Sequence, residues 1–575
     1  MAYFASLAAL LEPEASSSGP VATPILLWSV AVALASQQAM TLDASSPLAE
    51  LAAHLTILVP DAPPEIEGCD LLGRAYEYLM APADRRKRGA HFTPTSVADV
   101  VAAAAIPEPL LGPVTVCDPA CGGGALLLAA ARRMASSGVM KAIVVEHMYG
   151  CDIDPLATAV TDAALALWSG GRRANIVHGD GLMHDGLWGV DQFDVVIGNP
   201  PFLNQLGTAT VRSLEERTEL SHRFGSLSKG YSDTAAIFLV RGVQLTHDGG
   251  RVAMILPESI LTTAATEPVR RWVTNHGRLE AVWIPGSRLF DAQVRVCVPV
   301  IAVEAPGDPK SMPVVLITGH SAERHSTYSL AFAHEWSALG AHGQGIPTCV
   351  LVASDKSLDD LAICTADFRD QYYGLIPHVF EADDPRFHAT PPTDRASLVS
   401  VGLIDLGVQH WGARAVKFGG ATYREPVVDL NSLAAHDPKL AAWASHRLVP
   451  KILVATQTKV VEAVADVDGV WLPSVPVLSV IPRQRDDLWR VMAVLCHPMI
   501  SAWLAHQAIG SGLSAATMRL RANQLAAVPL PLDPGAWSAA ALAVQRNDWL
   551  GLAAIDLYGP TSPDVASWWL AHVAG

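Results

Sequence analysis

The stretch VTVCDPACGGGALLLAA, residues 114–130, decides the fold of this chain. Its β-branched beginning predicts a strand that ends at Asp118. A turn with three successive glycines, Gly122 to Gly124, follows, and the Ala/Leu-rich remainder predicts a helix. Glycines in such a turn let the backbone approach a ligand closely, and the first N–H groups of the helix can face a carboxylate.

Runs that predict strands and helices alternate on both sides of this stretch. The predicted strands are VTVCD (114–118), AIVVEHMYGCD (142–152), NIVHGD (175–180), FDVVIG (193–198) and RVAMILP (251–257). Ala/Leu-rich runs between them predict helices. This alternation indicates an α/β fold with a doubly wound, mainly parallel sheet and helices on both faces. Ligands of such sheets bind at the carboxyl ends of the strands.

Composition divides the chain into four regions. Residues 1–85 are apolar and rich in helix formers, which predicts an N-terminal helical region, and residues 86–310 hold the α/β domain. The alternation fades after it, so residues 311–533 are predicted to form a mixed α+β domain. Residues 534–575 contain four tryptophans and are predicted to be a helical tail packed on other elements.

Charge and cysteine content exclude some classes of protein. The 575 residues carry a formal net charge of -16, which argues against a uniformly basic surface but leaves room for a local basic cleft. The eight cysteines lack paired zinc spacing and are interpreted as reduced thiols of a cytoplasmic protein.

The apolar run from Pro24 to Ala35 is too short for a membrane span, so a buried helix is expected.

Acidic residues stand at three successive strand ends: Asp118, Asp152 in MYGCDIDP and Asp180 in VHGDGL. The glycine turn lacks the Lys-Ser/Thr of a P-loop and the spacing of a dinucleotide fingerprint. Asp152 could accept hydrogen bonds from ribose hydroxyls, and Asp180 from an adenine amino group. Such a nucleoside site without a phosphate cradle favours S-adenosylmethionine over NAD or ATP. The alternative for each acid is a helix cap.

The fourth strand end is Asn199-Pro200-Pro201-Phe202. The two prolines stiffen the loop, since each fixes one φ angle and restricts the preceding residue. The side-chain carbonyl of Asn199 and the backbone carbonyl of Pro200 could accept both hydrogens of an aryl amine and localise its lone pair toward an incoming methyl group. Phe202 could stack on a planar base. This chemistry needs no metal; the alternative is a stiff turn with a buried Phe.

Together these motifs resemble the γ-class adenine-N6 DNA methyltransferases, in which the cofactor motif precedes the catalytic motif and a target-recognition domain follows. DPACGGG, CDIDP, GDGL and NPPF are similar to their motifs, as are GAHFTPTSVADVV and GSRLFDAQVRVCVPVI. The resemblance implies a Rossmann-like S-adenosylmethionine-dependent domain. Its implied cofactor-binding residues are Phe92, Thr93, Pro94, Asp118, Ala120, Gly122, Gly124, Asp152, Ile153, Asp180, Gly181 and Asn199. The implied catalytic residues are Asn199, Pro200, Pro201 and Phe202, with Phe202 and Phe290 holding the target base.

The resemblance covers roughly residues 86–533. It is looser past the catalytic domain, where VPKILVATQTKVVEAVADVDGVWLPSVPVLSVIP and LRANQLAAVPLP are similar to the recognition domain of Taq I-type and type IIG enzymes. It implies double-stranded DNA as a partner and a target adenine flipped out of the duplex. Residues 203–230 are expected to form a mobile segment whose Arg212, Arg223 and Lys229 could contact phosphates. The alternative is that this segment is a solvated helical insertion. The run at 85–89 is a further candidate. In the C-terminal domain the candidates are His446, Arg447, Lys451, Lys459, Arg519 and Arg521.

The sequence therefore predicts site-specific DNA adenine-N6 methylation in restriction-modification or phage defence. One alternative is an N-methyltransferase acting on RNA or on a protein glutamine, and another is a catalytically silent DNA-binding subunit. The large C-terminal region disfavours the first, and the intact NPPF and Asp118 disfavour the second. No Glu-x-Lys nuclease signature occurs before residue 89, so any restriction is expected to come from a separate partner protein.

Overall fold

The structure is a computed structural model of the chain. It describes residues 2–9, 22–53, 56, 68–80, 93–202, 214–228, 234–285, 289, 295–304, 313–330, 334–343, 345–367, 369–387, 391–508 and 517–573. Two compact units are present, Met1–Leu339 and Gly340–Gly575.

The first unit is built on a ten-stranded sheet. Its strands are β1 (Val116–Asp118), β2 (Met148–Asp152), β3 (Asn175–His178), β4 (Phe193–Gly198), β5 (Thr246–Met254), β6 (Leu256–Pro257), β7 (Gly277–Ile284), β8 (Val296–Val303), β9 (Pro313–Thr318) and β10 (Arg324–Ser329). Nine follow the order β10-β9-β7-β8-β5-β4-β1-β2-β3, and β6 pairs with β8. Strands β5, β4, β1, β2 and β3 run parallel. The predicted α/β fold with a mainly parallel sheet is confirmed.

Helices pack on both faces of this sheet. They are α1 (Ala2–Ala9), α2 (Ala22–Gln37), α3 (Pro47–Leu51), α4 (Gly68–Leu79), α5 (Thr95–Ala105), α6 (Ala125–Ser136), α7 (Lys141–Glu146), α8 (Pro155–Ser169), α9 (Leu214–Phe224), α10 (Thr234–Gln244), α11 (Ser259–Thr262) and α12 (Glu267–Asn275). Neighbouring residues of β1 point to opposite faces: Val116 joins one core with α2, α4, α5, α6 and α8, and Cys117 joins the other with α10 and α12. Every residue of β8 is buried, and so are Val195, Val196 and Ile197 of β4.

Two features of the first unit differ from the predicted organisation. The N-terminal helices share a single hydrophobic core with α6 and α8, because their apolar faces complete one side of the sheet. The sheet also continues past residue 310, since β9 pairs with β7 and β10 pairs with β9. The first unit therefore ends at Leu339 rather than at the predicted boundary of 310.

The strand predicted over residues 142–152 is wrong in its first half. Residues Lys141–Glu146 form α7, and the strand begins only at Met148, which lies opposite Val116 of β1. Val144 and Val145 are buried within this short helix. Tertiary packing thus overrides the β-propensity of the run IVV.

The second unit combines two four-stranded sheets with helices. The sheets have the orders β12-β24-β20-β22 and β13-β19-β14-β23, and the pairs β11-β26, β15-β16, β17-β18 and β21-β25 accompany them. These strands are β11 (Ala353–Ser357), β12 (Ala362–Ala366), β13 (Val379–Glu381), β14 (Arg395–Val399), β15 (Ile404–Asp405), β16 (Val408–Gln409), β17 (Val416–Phe418), β18 (Ala421–Tyr423), β19 (Pro426–Asp429), β20 (Lys451–Val454), β21 (Gln457–Thr458), β22 (Ala463–Asp466), β23 (Trp471–Pro473), β24 (Leu478–Pro482), β25 (Met518–Arg519) and β26 (Pro529–Pro531). The predicted mixed α+β character is confirmed.

Ten further α-helices follow within the part of the chain that the structure describes. They are α13 (Ser337–Gly343), α14 (Arg369–Leu375), α15 (Leu430–His436), α16 (Pro438–Arg447), α17 (Leu488–Cys496), α18 (Pro498–Ala508), α19 (Ala522–Ala526), α20 (Pro534–Gln545), α21 (Trp549–Ala553) and α22 (Pro563–Val573). Residues of α20, α21 and α22, including fully buried Trp569, share a core with α17 and α18. The predicted C-terminal tail is thus packed into the second unit.

Two observations bear on membranes and thiols. Among the described residues, no single helix is long and apolar enough to cross a bilayer; the bent pair Arg485–Cys496 and Pro498–Ala508 passes on length and composition together, and its apolar residues lie in the core of the second unit. All eight cysteines are free thiols, as predicted. Burial raises the pKa of the Cys117 and Cys121 thiols well above their usual range.

Candidate active site

Four neighbouring parallel strands bring the predicted motifs to one edge of the sheet. Strand β4 ends next to Asn199, β1 ends at Asp118, β2 ends at Asp152, and β3 ends two residues before Asp180. Strand β1 lies between β4 and β2, so the predicted catalytic loop and the predicted ribose acid flank the glycine turn. From β1 the chain first adds β2 and then β3 on one side. It then adds β4 and β5 on the other side of β1. The motifs therefore meet where the direction of winding reverses.

The glycine turn is held by hydrogen bonds from the neighbouring strand end and from α8. The N–H of Gly122 donates to Asp152 Oδ2 at 3.0 Å, and Thr161 Oγ1 donates to the carbonyl oxygen of Gly122 at 2.7 Å. Gly122 and Gly124 have φ angles of 50° and 83°, a region that glycine adopts without strain. A Cβ on Gly122 would meet no atom within 4 Å. The turn is therefore ordered while its outer side stays open to a ligand.

The loop after β2 places an acid beside an exposed apolar side chain. Asp152 Oδ1 accepts the N–H of Asp154 at 2.9 Å, and Asp154 in turn caps helix α8 through the N–H of Leu156. The N-cap residue of α8 is therefore Asp154. The alternative that Asp152 caps this helix is wrong. Ile153 directly follows and is 63% exposed. A carboxylate next to an exposed aliphatic surface suits a ribose and its attached base.

The loop after β3 is bound by its own acid and by a buried arginine. Asp180 Oδ1 accepts the N–H groups of Leu182 and Met183, so this carboxylate does form a cap-like turn. A Cβ on Gly181 would lie 2.3 Å from the carbonyl oxygen of Pro119, which ties this loop to the glycine turn. Arg241 of α10 donates from Nε to the carbonyl oxygen of Gly181 at 3.0 Å.

Arg241 is a functional candidate that the motifs did not reveal. It is 5% exposed, donates from Nη2 to the carbonyl oxygen of His184 at 2.8 Å, and pairs through Nη1 with Asp185 at 2.9 Å. Burial lowers the pKa of Arg241, and the nearby charge of Arg223 lowers it further. The available signal was a single charged residue inside the otherwise apolar run TAAIFLVRGVQ. A buried charge in such a helix calls for partners, which here are the carbonyls of the Asp180 loop.

Arg223 contacts the same loop. It donates to the carbonyl oxygen of Met183 at 3.0 Å and forms an ion pair with Asp185. This contact with the Asp180 loop replaces both interpretations that the sequence left open for Arg223, the phosphate contact and the solvated insertion. Arg212, Lys229 and the run at 85–89 lie outside the described residues, as do Phe92 and Phe290.

Asp118 is the most strongly buried acid at the strand ends. It is 2% exposed, and its Oδ1 accepts the N–H of Ala120 at 3.0 Å. Burial raises the pKa of Asp118 to about 7; the Ala120 N–H opposes this change, and the negative charge of Asp152 adds to it. A cationic ligand at this point would favour the ionised carboxylate.

The predicted catalytic loop contacts the residue that precedes α5. Asn199 Nδ2 donates to Thr93 Oγ1 at 3.1 Å, across 106 positions of sequence. Thr93 is buried, and Pro94 is the N-cap residue of α5. With Nδ2 directed to Thr93, Oδ1 is the end of the Asn199 amide that can accept hydrogen bonds from a substrate amine.

The two prolines and the aromatic residue complete this loop. Pro200 is buried, and Pro201 is half-buried. Phe202 is half-buried and packs against both cores of the first unit. The Phe202 ring is therefore anchored at the sheet edge and keeps part of its surface exposed, as a stacking platform requires.

The candidate DNA contacts of the second unit separate into buried and exposed groups. Lys451 is fully buried and pairs with Asp466, so the predicted DNA contact is wrong for this residue. Arg447 donates to Asp367 at 2.9 Å and is largely buried, which assigns it to the interior of this unit. The exposed candidates are His446, Lys459, Arg519 and Arg521. Strand pairing places Arg519 opposite Gln457, two residues from Lys459.

Residues 67–328 match the family described as N-6 DNA Methylase. The type II methyltransferase M.BanIII of Aneurinibacillus aneurinilyticus is 27% identical over 227 residues, which are 36% of this chain and 37% of that protein. The match thus spans little more than a third of this relative's length. The type IIL restriction-modification enzyme MmeI, solved in complex with DNA, aligns with a TM-score of 0.57 at 13% identity, over 92% of this chain and 79% of that one. The family match confirms the resemblance for residues 67–328, and the structural likeness confirms the fold.

Proposed function

We propose, on the premise that residues 67–328 form a domain of the N-6 DNA methylase type, that this protein is a site-specific DNA adenine-N6 methyltransferase of a restriction-modification or phage-defence system. The observation that carries the proposal is the adjacency of the Asn199 loop and the glycine turn. They follow the neighbouring parallel strands β4 and β1, and a Cβ on Gly198 would lie 3.5 Å from Asp118 Oδ1. An amine held by Asn199 would thus be close to a ligand held at Asp118.

The residues at the strand ends fit S-adenosylmethionine. The open side of Gly122 leaves room for a ligand, the carboxylates suit its ammonium, sulfonium and hydroxyl groups, and exposed Ile153 suits its adenine. Asp118 would hold the methionyl end, Asp152 the ribose and the Asp180 loop the adenine. When bound, this cofactor supplies a methyl carbon that accepts the amine's lone pair while the carbon–sulfur bond breaks toward sulfur.

The chain's own contribution to methyl transfer is to orient the amine. Asn199 Oδ1 and the carbonyl oxygen of Pro200 accept the two N–H groups of the target, which draws its lone pair out of the ring and toward the methyl carbon. Thr93 fixes the orientation of the Asn199 amide. After transfer, the nitrogen carries a positive charge that the two carbonyl oxygens stabilise until one proton leaves to water. This stabilisation grows in the transition state and therefore raises the rate.

The target base must leave the duplex to reach this loop. Phe202 would stack on the flipped adenine, with Phe290 as the proposed second aromatic contact. Stacking on an aromatic side chain is worth roughly 1–3 kcal/mol per base, which offsets part of the cost of unstacking. Recognition of the DNA sequence is assigned to the second unit, where exposed His446, Lys459, Arg519 and Arg521 are the proposed contacts.

Expression in a methylation-free host, followed by modification-sensitive sequencing of the host genome, tests the proposal. We expect N6-methyladenine at one short sequence motif, absent from cells that express Asn199→Ala at the same level. Methyl groups found only in RNA or on a glutamine side chain would support the other enzyme class. If no nucleic acid or protein is methylated and the purified chain still binds DNA, the silent binding subunit is correct.

A further inference from the structure

The side of α4 that carries Asp70, Gly73 and Tyr76 touches three parts of the proposed cofactor site. We propose that α4 positions the glycine turn and the Asp152 loop, with Gly73 and Tyr76 as positioning residues. The cofactor-related part of this inference rests on the proposed function, whereas the positioning itself is a property of the cofactor-free chain. The three residues lie on successive turns of one side of the helix, since they are three positions apart.

Gly73 lies in direct contact with the glycine turn. A Cβ on Gly73 would lie 2.6 Å from the carbonyl oxygen of Gly123, and a Cβ on Gly123 would lie 2.9 Å from the Cα of Gly73. Both obstacles are backbone atoms, so neither can rotate away. The helix backbone therefore presses on the middle residue of the turn, and any side chain at position 73 must push the two apart.

Tyr76 reaches the same turn through two acids. Its hydroxyl donates to Asp154 Oδ2 at 2.8 Å, the N–H of Asp154 donates to Asp152 Oδ1 at 2.9 Å, and Asp152 Oδ2 accepts the N–H of Gly122 at 3.0 Å. The hydroxyl thus holds the loop whose acid is proposed to bind ribose. Because Asp154 also caps α8, its position depends on both contacts.

Asp70 fixes the helix to the other walls of the site. It is 8% exposed, pairs with Arg132 of α6 at 3.1 Å and accepts the hydroxyl of Thr95, also at 3.1 Å. Helix α6 begins at the glycine turn, and Thr95 begins α5 two residues after Thr93. A movement of α4 would therefore reach the glycine turn, the Asp152 loop and the Thr93 end together.

This arrangement reverses the usual effect of glycine in a helix. Alanine is favoured over glycine in helix interiors by roughly 1 kcal/mol, so helix propensity alone predicts that Gly73→Ala is stabilising. The contact with Gly123 predicts the opposite: displacement of the turn and weaker cofactor binding. Tyr76→Phe removes one hydroxyl at nearly constant volume, and loss of a single hydrogen bond corresponds to a roughly threefold to tenfold change in an equilibrium constant.

The experiment uses the full chain and two test variants, each with a matched control. S-adenosylmethionine and S-adenosylhomocysteine binding is measured by calorimetry, and amide hydrogen exchange of peptides covering residues 116–126 is measured without cofactor. Tyr76→Phe is compared with Tyr78→Phe, which removes a hydroxyl from the same helix where the Tyr78 ring stacks on Phe4. Gly73→Ala is compared with Gly112→Ala, where a Cβ would meet no atom within 4 Å.

We expect Tyr76→Phe to weaken cofactor binding threefold to tenfold and Gly73→Ala more than tenfold, while both controls bind as the wild type. Exchange at 116–126 should rise in the two test variants alone. In steady-state kinetics the KM for cofactor should rise with kcat nearly unchanged. In an Asp154→Ala background, which removes the hydroxyl's partner, Tyr76→Phe should have no additional effect.

Equal cofactor binding and equal exchange in test and control variants would overturn the proposal. If the wild type binds no cofactor, the proposed function fails, and the exchange of 116–126 decides the inference by itself. Unchanged exchange in Gly73→Ala would then show that α4 does not position the turn.

Discussion

Asp118→Asn should stabilise the cofactor-free protein at alkaline pH and weaken cofactor binding at the same time. Burial raises the pKa of Asp118 from 3.8 to about 7. Between these two pH values the folded chain keeps a proton on Asp118 that the unfolded chain has released. The folding free energy associated with this group is therefore lost as the pH rises from about 4 to 7. The shift of roughly three units, at about 1.4 kcal/mol per unit, amounts to about 4 kcal/mol above pH 7.

Asparagine has nearly the same shape as Asp118 and stays neutral at every pH, so it avoids this loss and can still accept the Ala120 N–H. Thermal melts at pH 4, 5.5 and 8 should show a variant that resembles the wild type at pH 4 and melts progressively higher than the wild type as the pH rises. Asp191→Asn, which changes an exposed loop carboxylate, serves as the control and should show no such trend. A difference between Asp118→Asn and wild type that does not change with pH would refute the reasoning.

Binding of a cationic cofactor should shift in the opposite sense. Since the cofactor favours the ionised Asp118, its affinity for the wild type should fall below pH 7, by up to about tenfold per pH unit. Calorimetry in buffers of different ionisation enthalpy should detect proton release from the wild type below pH 7 and none attributable to this group in the Asn variant. A wild-type affinity that is constant from pH 5.5 to 8 would contradict the proposed role.

Changes at four further residues test the rest of the site and one buried ion pair of the second unit. Asn199→Ala should abolish methyl transfer, measured with a radiolabelled methyl group, and leave cofactor affinity unchanged. Thr93→Val should lower kcat about tenfold in the same assay, which is the equivalent of one hydrogen bond. Wild-type turnover in either variant would exclude the proposed orientation of the Asn199 amide. Arg241→Gln should raise the KM for cofactor more than the KM for DNA. Arg241→Lys should restore little cofactor binding, because one ammonium group cannot replace a guanidinium that contacts two carbonyl oxygens and a carboxylate. Equal effects on both KM values would argue for general destabilisation. Lys451→Met should lower the free energy of unfolding of the second unit by about 3–5 kcal/mol, since it leaves Asp466 buried without its partner. It should not alter the salt dependence of DNA binding. A reduced salt dependence would show that Lys451 contacts phosphate after all.

The sequence was sufficient to place the strand-end residues because parallel strands present their carboxyl ends at one edge. Asp118, Asp152, Asp180 and Asn199 were each recognisable from a short apolar run followed by a polar residue, and their strands are indeed neighbours. The local pattern also predicted the helices on both faces. The strands and helices follow from local patterns of apolar and polar residues, which a sequence displays directly.

Contacts between distant segments could not be read in the same way. The pairing of Lys451 with Asp466 and the enclosure of Arg241 depend on which elements pack together, and a basic residue looks the same in sequence whether it is exposed or buried. Residues Lys141–Glu146 show the same limit, since a β-branched run became helical under tertiary constraint. The close approach of Gly73 to Gly123 required three-dimensional coordinates, because a glycine in a helix has many explanations.

The reversal of winding between β1 and β4 separates two tasks along the chain. Loops on the β1–β2–β3 side are proposed to hold the cofactor, whereas the loop on the β4 side is proposed to select the amine. The two sets leave the sheet on opposite sides of β1, so the proposed function predicts that each can be redesigned in turn. An engineer who wishes to transfer a larger alkyl group should redesign the first set, and one who wishes to modify cytosine instead of adenine should redesign the second. On the proposed function, the choice of methyl donor and the choice of acceptor base would then be separately adjustable.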